Sequence, residues 1–172
     1  ENDDILVLAQ KIISKSEGRH INLDSINPSL EAIELGAQSE KDPRLTELIL
    51  QESNSVLRVR PGTIIVEHKL GFVCANAGID HSNVSAENST NENIVLLLPE
   101  DPARSAKIIQ NKLEEYFNVR IGVLIIDSHG RPWRLGVVGA SIGLAGLPSL
   151  VDMRGKPDLF GNKLLITQIA VA

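Results

Sequence analysis

The chain has 172 residues, 42% of them hydrophobic, and carries a formal net charge of -5. That length can bury one sizeable core, and that acidity removes any general attraction to nucleic acid, leaving only local basic clusters able to hold phosphate. No apolar run approaches the ~20 residues a membrane-crossing helix needs, and Cys74 is the only cysteine, so no intrachain disulfide can form.

The opening ENDD is unlike the basic start of a signal peptide, so a cytoplasmic protein is expected, with no membrane and no nucleic acid among its partners. Asn83-Val84-Ser85 and Asn88-Ser89-Thr90 fit the glycosylation pattern, but without a secretion signal they read as ordinary polar loop. Aromatic residues make up 3% of the chain, so the core must be built from Ile, Leu, Val and Ala.

In chain order, ILVLA (5–9) reads as a short buried strand, and QKIISKSEGR as one or two helical turns ended by Gly18. INPSLEAIELGAQ predicts a helix with Asn27 as cap and Pro28 at its first position; DPRLTELILQES predicts a second, capped by Asp42, with Leu45, Leu48 and Ile49 on one face. TIIVEHK and FVCAN, separated by Leu70 and Gly71, suit a hairpin. Residues 76–93 read as a polar loop, NIVLLLP as a strand, and EDPARSAKIIQNKLEEYF as the clearest amphipathic helix, capped by Asp101. IGVLIID, GVVGASIGLAG and NKLLITQIAVA supply three more strand-like runs.

No regular βαβ alternation runs through this order, so an α+β fold is expected rather than a doubly wound one. Apolar runs reach both ends without flanking structure. Residues 1–172 therefore read as a single body that is a fragment of something longer.

Two apolar runs drive into an aspartate: GFVCANAGID ends at Asp80 and VLIID at Asp127. A carboxylate at the end of a buried strand is costly unless paired, protonated or bound to metal. Two of them can grip Mg2+ or Mn2+, which prefer oxygen ligands, and Ser128 could add a hydroxyl. The plainer reading makes both aspartates turn formers or helix caps.

Lys11, Lys15, Arg19, Arg131 and Arg134 form a second group, able to counter nucleotide phosphates or simply to be solvated. Neither the P-loop pattern nor a convincing GxGxxG is present. Asp127-Ser128-His129 is rejected as a hydrolase triad, because neighbours on an extended backbone point in different directions. A zinc site from Cys74, His81 and His129 lacks any paired spacing, and Cys74 reads as a small buried residue. His20 and His68 read as ordinary surface or strand residues, and Trp133 as core. Gly136, Gly139, Gly143 and Gly146 mark bulges or a close approach by backbone, dimer partner or substrate.

VLAQKIISKSEGR, DPRLTELILQES, RPGTIIVEHKLGFVCANAGIDHSNV, LLLPEDPARSA and IDSHGRPWRLGVVGASIGLAGL together resemble, in order, the successive motifs of the coenzyme F420-0:L-glutamate ligase family, the gamma-glutamyl ligases of a deazaflavin coenzyme. The resemblance implies an α+β fold with a mixed, mainly antiparallel sheet and flanking helices. It implies a GTP-dependent ligase joining L-glutamate to the deazaflavin precursor through an acyl phosphate, with Mg2+ or Mn2+, K+ as a further candidate, and a homodimeric assembly. By motif, Asp80 and Asp127 resemble the family's metal-binding aspartates and Ser128 a residue that also reaches metal. Lys15 resembles a GTP-contacting lysine, Gln10 and Lys11 the nucleotide-binding pair before it, and Asn83 an asparagine assigned to GTP. An N-terminal Gly-Leu-Pro stretch and a C-terminal portion of the family pattern are not in these residues, nor is a nitroreductase-like second domain. The alternative expectation is a non-catalytic nucleotide- or metal-binding module of the same fold.

Overall fold

The computed structural model describes residues 1–81, 93–131 and 133–172. In chain order its elements are β1 (Asp4–Ala9), α1 (Gln10–Ser16), β2 (His20–Asn22), α2 (Leu30–Ser39), α3 (Pro43–Gln51), β3 (Ser53–Arg60), β4 (Thr63–His68) and β5 (Val73–Ala75). They continue with β6 (Ile94–Leu96), α4 (Pro102–Phe117), β7 (Ile121–Gly130), β8 (Val137–Ala145), β9 (Leu150–Asp152) and β10 (Gln168–Ala170). The chain forms two compact units, Glu1–Gln10 with Asp101–Ala172, and Lys11–Glu100. The fold is α+β with mixed, mainly antiparallel sheets: among the described residues only β1 and β7 run parallel. Among the described residues no helix is long and apolar enough to cross a membrane.

In the first unit β7 is the central strand, between β1 and β8. Its odd-numbered residues Val123, Ile125 and His129 are buried, so one face of the strand is covered. Helix α4 buries a stripe of Pro102, Ala106 and Gln110. It starts where Asp101 accepts the Arg104 N–H at 2.9 Å, with Pro102 in its first turn.

This helix explains two of the glycines. A Cβ on Gly143 would overlap the backbone of Pro102, so the start of α4 sits directly on β8. Gly146 takes a left-handed φ of +79° against the Gln110 amide and the Ile121 carbonyl, which Gln110 Nε2 reaches at 2.9 Å. The close approach is made by the chain's own helix.

The second unit holds a β3-β4-β5 meander and a β2-β6 pair. Ile49, Ile64, Val66, Cys74 and Ala77 form one buried cluster, and Leu23, Leu48 and Val95 another. Leu45 packs against both, which realises the apolar face read for α3. The hairpin read from TIIVEHK and FVCAN forms, with Val66 opposite Cys74.

Five expectations are corrected. Helix α2 is capped by Ser29, whose Oγ accepts the Ala32 N–H at 3.2 Å while Glu47 accepts the Ser29 N–H at 2.9 Å, so Asn27 lies outside the helix. SNSVLRVR, assigned to no strand above, is β3; bulges place its half-buried residues at Ser53, Val56 and Val59 and erase the two-residue alternation. β1 is an edge strand rather than a buried one, with Ile5 and Val7 exposed. Of NKLLITQIAVA only Gln168–Ala170 is a strand. Trp133 is fully exposed at a left-handed φ of 59°, not core.

Candidate functional site

Asp80 is delivered by a tight turn in the second unit. Asn76, Ala77 and Gly78 all have positive φ, of 52°, 52° and 63°, a run that side-chain-bearing residues adopt only under tertiary constraint. The constraint is visible: Asn76 Oδ1 accepts the Ile64 N–H at 3.0 Å, and Ala77 is fully buried. Asp80 is then clamped by a two-way backbone bridge to Leu96, each N–H donating to the other carbonyl at 2.9 Å. Its carboxylate meets Lys11 from α1, with Nζ 3.4 Å from Oδ2 and both side chains about three-tenths exposed.

Lys15 is exposed in the last turn of α1, which closes as Gly18 donates its N–H to the Lys15 carbonyl at 3.1 Å with a φ of +68°. Gln10, opening the same helix, is buried. Arg19 is structural: its Nε donates to the Leu98 carbonyl at 2.9 Å and its guanidinium pairs with Glu52 at 3.1 Å. Its charge is thus engaged within the second unit rather than simply solvated. Asn83 lies outside the described residues.

In the first unit Asp127 projects from β7 on the same face as His129. Asp127 Oδ2 lies 3.1 Å from His129 Nε2, with side chains 17% and 6% exposed, so the pair is largely withdrawn from water. Arg131 extends the series, its guanidinium 3.2 Å from His129 Nδ1 and donating to the Gly130 carbonyl at 2.8 Å. Ser128 is exposed on the opposite face, as strand alternation requires, an orientation that does not suit a hydrolase triad. The Asp127-His129-Arg131 series had a legible signal, an i, i+2, i+4 spacing on one strand face.

His68 is buried in β4 and stacked on Phe72, ring centroids 5.4 Å apart. Its Nδ1 accepts the Leu70 N–H at 2.9 Å, and Nε2 has no hydrogen-bond partner among the described residues. Burial holds its pKa below the ordinary value of 6.5.

Among the described residues no three His, Cys, Asp or Glu side chains gather in one place. Cys74 is enclosed in the second unit's core. The donors read for a metal, Asp80, Asp127 and Ser128, each offer oxygen, the donor type that Mg2+ and Mn2+ prefer. A groove of about 610 Å³ in the first unit, lined by Ile5, Leu6, Leu113, Phe117 and Ile121 among others, lies at the far end of β7 from Asp127. At ~3.3 Å per residue, roughly 20 Å of strand separates the two, so the groove is no part of that chemistry.

Asp127 lies within β7 and Asp80 follows a turn, so neither ends a buried strand as read from the sequence; each carboxylate instead meets a nitrogen-bearing side chain, Asp80 that of Lys11 and Asp127 that of His129. Comparison with known proteins narrows the reading. The model of the F420-0:Gamma-glutamyl ligase family matches residues 1–172. A Methanopyrus kandleri protein named coenzyme F420:L-glutamate ligase is 47% identical over 171 residues, covering 99% of this chain and 66% of its own length. Proteins of the same name from Methanocaldococcus jannaschii and Archaeoglobus fulgidus are 44% and 41% identical over 172 residues, each covering 100% of this chain and 66% of their own length. The chain belongs to the F420-0:Gamma-glutamyl ligase family. It spans just under two thirds of the length of these relatives.

Proposed function

We propose that this chain is the larger part of a GTP-dependent ligase that joins L-glutamate to the deazaflavin coenzyme F420 precursor in a gamma-glutamyl amide bond. The observation that carries the reading is the family match, which runs unbroken over residues 1–172 and so takes in Asp80, Asp127 and both lysines.

The chemistry has a simple logic. A carboxylate is a poor electrophile, so the γ-phosphoryl group of GTP passes to the acceptor carboxylate, giving an acyl phosphate and GDP. The glutamate amine then attacks the acyl carbon, the carbon–oxygen bond to phosphate breaks, and phosphate leaves as the nitrogen loses a proton. When bound, Mg2+ or Mn2+ would offset the charge of the phosphates and of the group in transfer.

The chain's own residues have defined tasks in this reading. Asp80 and Asp127 hold the divalent cations, while Lys11 and Lys15 counter phosphate charge with ammonium groups. Gln10 and Asn83 belong to the nucleotide set. Ser128 is the weakest metal donor of the three, because its side chain leaves the strand on the face away from the Asp127 carboxylate.

We extend the proposal to K+ as an additional ion, to a cytoplasmic location and to a homodimer. The dimer draws support from Leu159, Phe160, Leu165 and Ile166 in the first unit, each at least 80% exposed, the kind of apolar surface that marks an interaction site.

Thermal unfolding of the intact protein tests the reading. A ligand that binds only the folded state raises the midpoint by mass action, so GTP with Mn2+ should raise it more than either alone. Asp127→Asn should remove the metal's share and leave the ligand-free midpoint near wild type. No response of the intact protein to either ligand would overturn the proposal.

A further inference from the structure

We infer that His129 is a positioning residue for Asp127: it fixes which carboxylate oxygen faces a bound cation, and Arg131 fixes the imidazole. The inference deepens the ligase reading and rests on its assignment of Asp127 as a metal ligand.

A guanidinium carries N–H groups and no acceptor, so Arg131, 3.2 Å from His129 Nδ1, requires a lone pair on that nitrogen. The single ring proton of the neutral imidazole is therefore on Nε2, which lies 3.1 Å from Asp127 Oδ2 and donates to it. Both ring nitrogens are thus engaged, which also removes His129 as a metal ligand itself.

The geometry is hard to relax. Asp127, His129 and Arg131 alternate along one strand and its immediate continuation, so their side chains leave on the same side. The imidazole is 6% exposed and cannot swing into solvent. The Arg131 guanidinium is tied back to the Gly130 carbonyl at 2.8 Å. With Oδ2 committed to His129, rotation of the carboxylate is restricted and Oδ1 is the oxygen presented to a cation. Partners that orient a ligating carboxylate in this way change metal affinity by about 10- to 100-fold when removed.

The test uses intact protein and Mn2+ alone, titrated by electron paramagnetic resonance, together with the tautomer of His129 read from its ring 15N shifts. Wild type is expected to show the Nε2–H form. His129→Phe, which keeps a flat buried ring and loses the donor, is expected to weaken Mn2+ binding about tenfold or more in protein that still folds. His129→Gln, which retains an N–H donor, is expected to recover most of the loss. Asp127→Asn serves as the control for the underlying assignment.

If Asp127→Asn loses Mn2+ while His129→Phe binds it as wild type does, the positioning role is overturned and the ligand assignment stands. If Asp127→Asn binds Mn2+ normally, the assignment fails first and the positioning role with it. Should His129→Phe not fold, the wild-type tautomer decides, and an Nδ1–H ring overturns the proposal.

Discussion

Lys11 Nζ lies 3.4 Å from Asp80 Oδ2, so an ammonium from α1 already occupies the carboxylate held beside β6. A divalent cation at Asp80 must compete with it. At about three-tenths exposure the pair is worth no more than ~1 kcal/mol, a barrier a dication can overcome. Lys11→Met is therefore expected to tighten Mn2+ binding severalfold without nucleotide and to weaken GTP binding about tenfold, an ammonium–phosphate contact being charge-assisted. Isothermal titration of both ligands checks it; weaker Mn2+ binding in Lys11→Met would contradict the competition.

The seat of α4 on β8 leaves no room for a side chain at Gly143. Gly143→Ala forces the start of the helix outward, an overpacking that costs roughly 1–3 kcal/mol. Gly130→Ala, with open space where the Cβ would go, is the control and should change little. Urea unfolding of the two variants measures the difference, and equal stability would refute the close contact.

Capping gives a second paired comparison. Ser29 accepts the Ala32 N–H, so Ser29→Ala is expected to cost about 1 kcal/mol. Asn27 lies outside α2, and Asn27→Ala is expected to stay within about 0.5 kcal/mol of wild type. The reverse ranking in chemical denaturation would restore the first reading of this helix.

His68 sets a pH dependence. Burial holds its folded pKa below 6.5, so between the two values the unfolded chain binds more protons than the folded one. Its neutral form contributes stability that is complete above about pH 6.5 and is lost as pH falls towards the folded pKa. The nearby charges act both ways, Glu52 favouring protonation and Lys69 and Arg19 opposing it. Wild type should lose stability relative to His68→Phe as pH is lowered from 7.5 to 5. A constant difference across that range would show that His68 does not titrate with folding.

How much the sequence revealed differs by element. Asp42 and Asp101 followed by proline fixed the starts of α3 and α4, because cap and first-turn residues act locally. The β3 strand was hidden because its bulges replaced the two-residue period with Ser53, Val56 and Val59. Ser29 displaced Asn27 because Glu47, from another helix, accepts its N–H, a long-range contact no local pattern carries. Ile5 and Val7 read as buried because an apolar run looks the same on an edge strand as on a central one.

At the candidate site, the sequence drew attention to the aspartates in GFVCANAGID and VLIID through the cost of burying a carboxylate, but not to where the fold puts them, Asp127 within β7 and Asp80 after a turn. Their neighbours were less legible. Arg19, read as countering phosphate or as solvated, proved to be a brace between Glu52 and Leu98, and Lys11 proved to face Asp80. Each of these depends on residues distant in sequence. His129 lay in plain view beside Asp127, yet its role needs the burial and the arginine that the fold supplies.

The most direct test of the ligase reading is to supply the intact protein with GTP, Mg2+ or Mn2+, L-glutamate and the F420 precursor, and to analyse the coenzyme by mass spectrometry. The expected result is a coenzyme extended by glutamate, with GDP released in step, and none from a folded Asp127→Asn variant. Tight GTP binding by folded wild-type protein with no extended coenzyme would contradict the account and leave a nucleotide-binding module in its place.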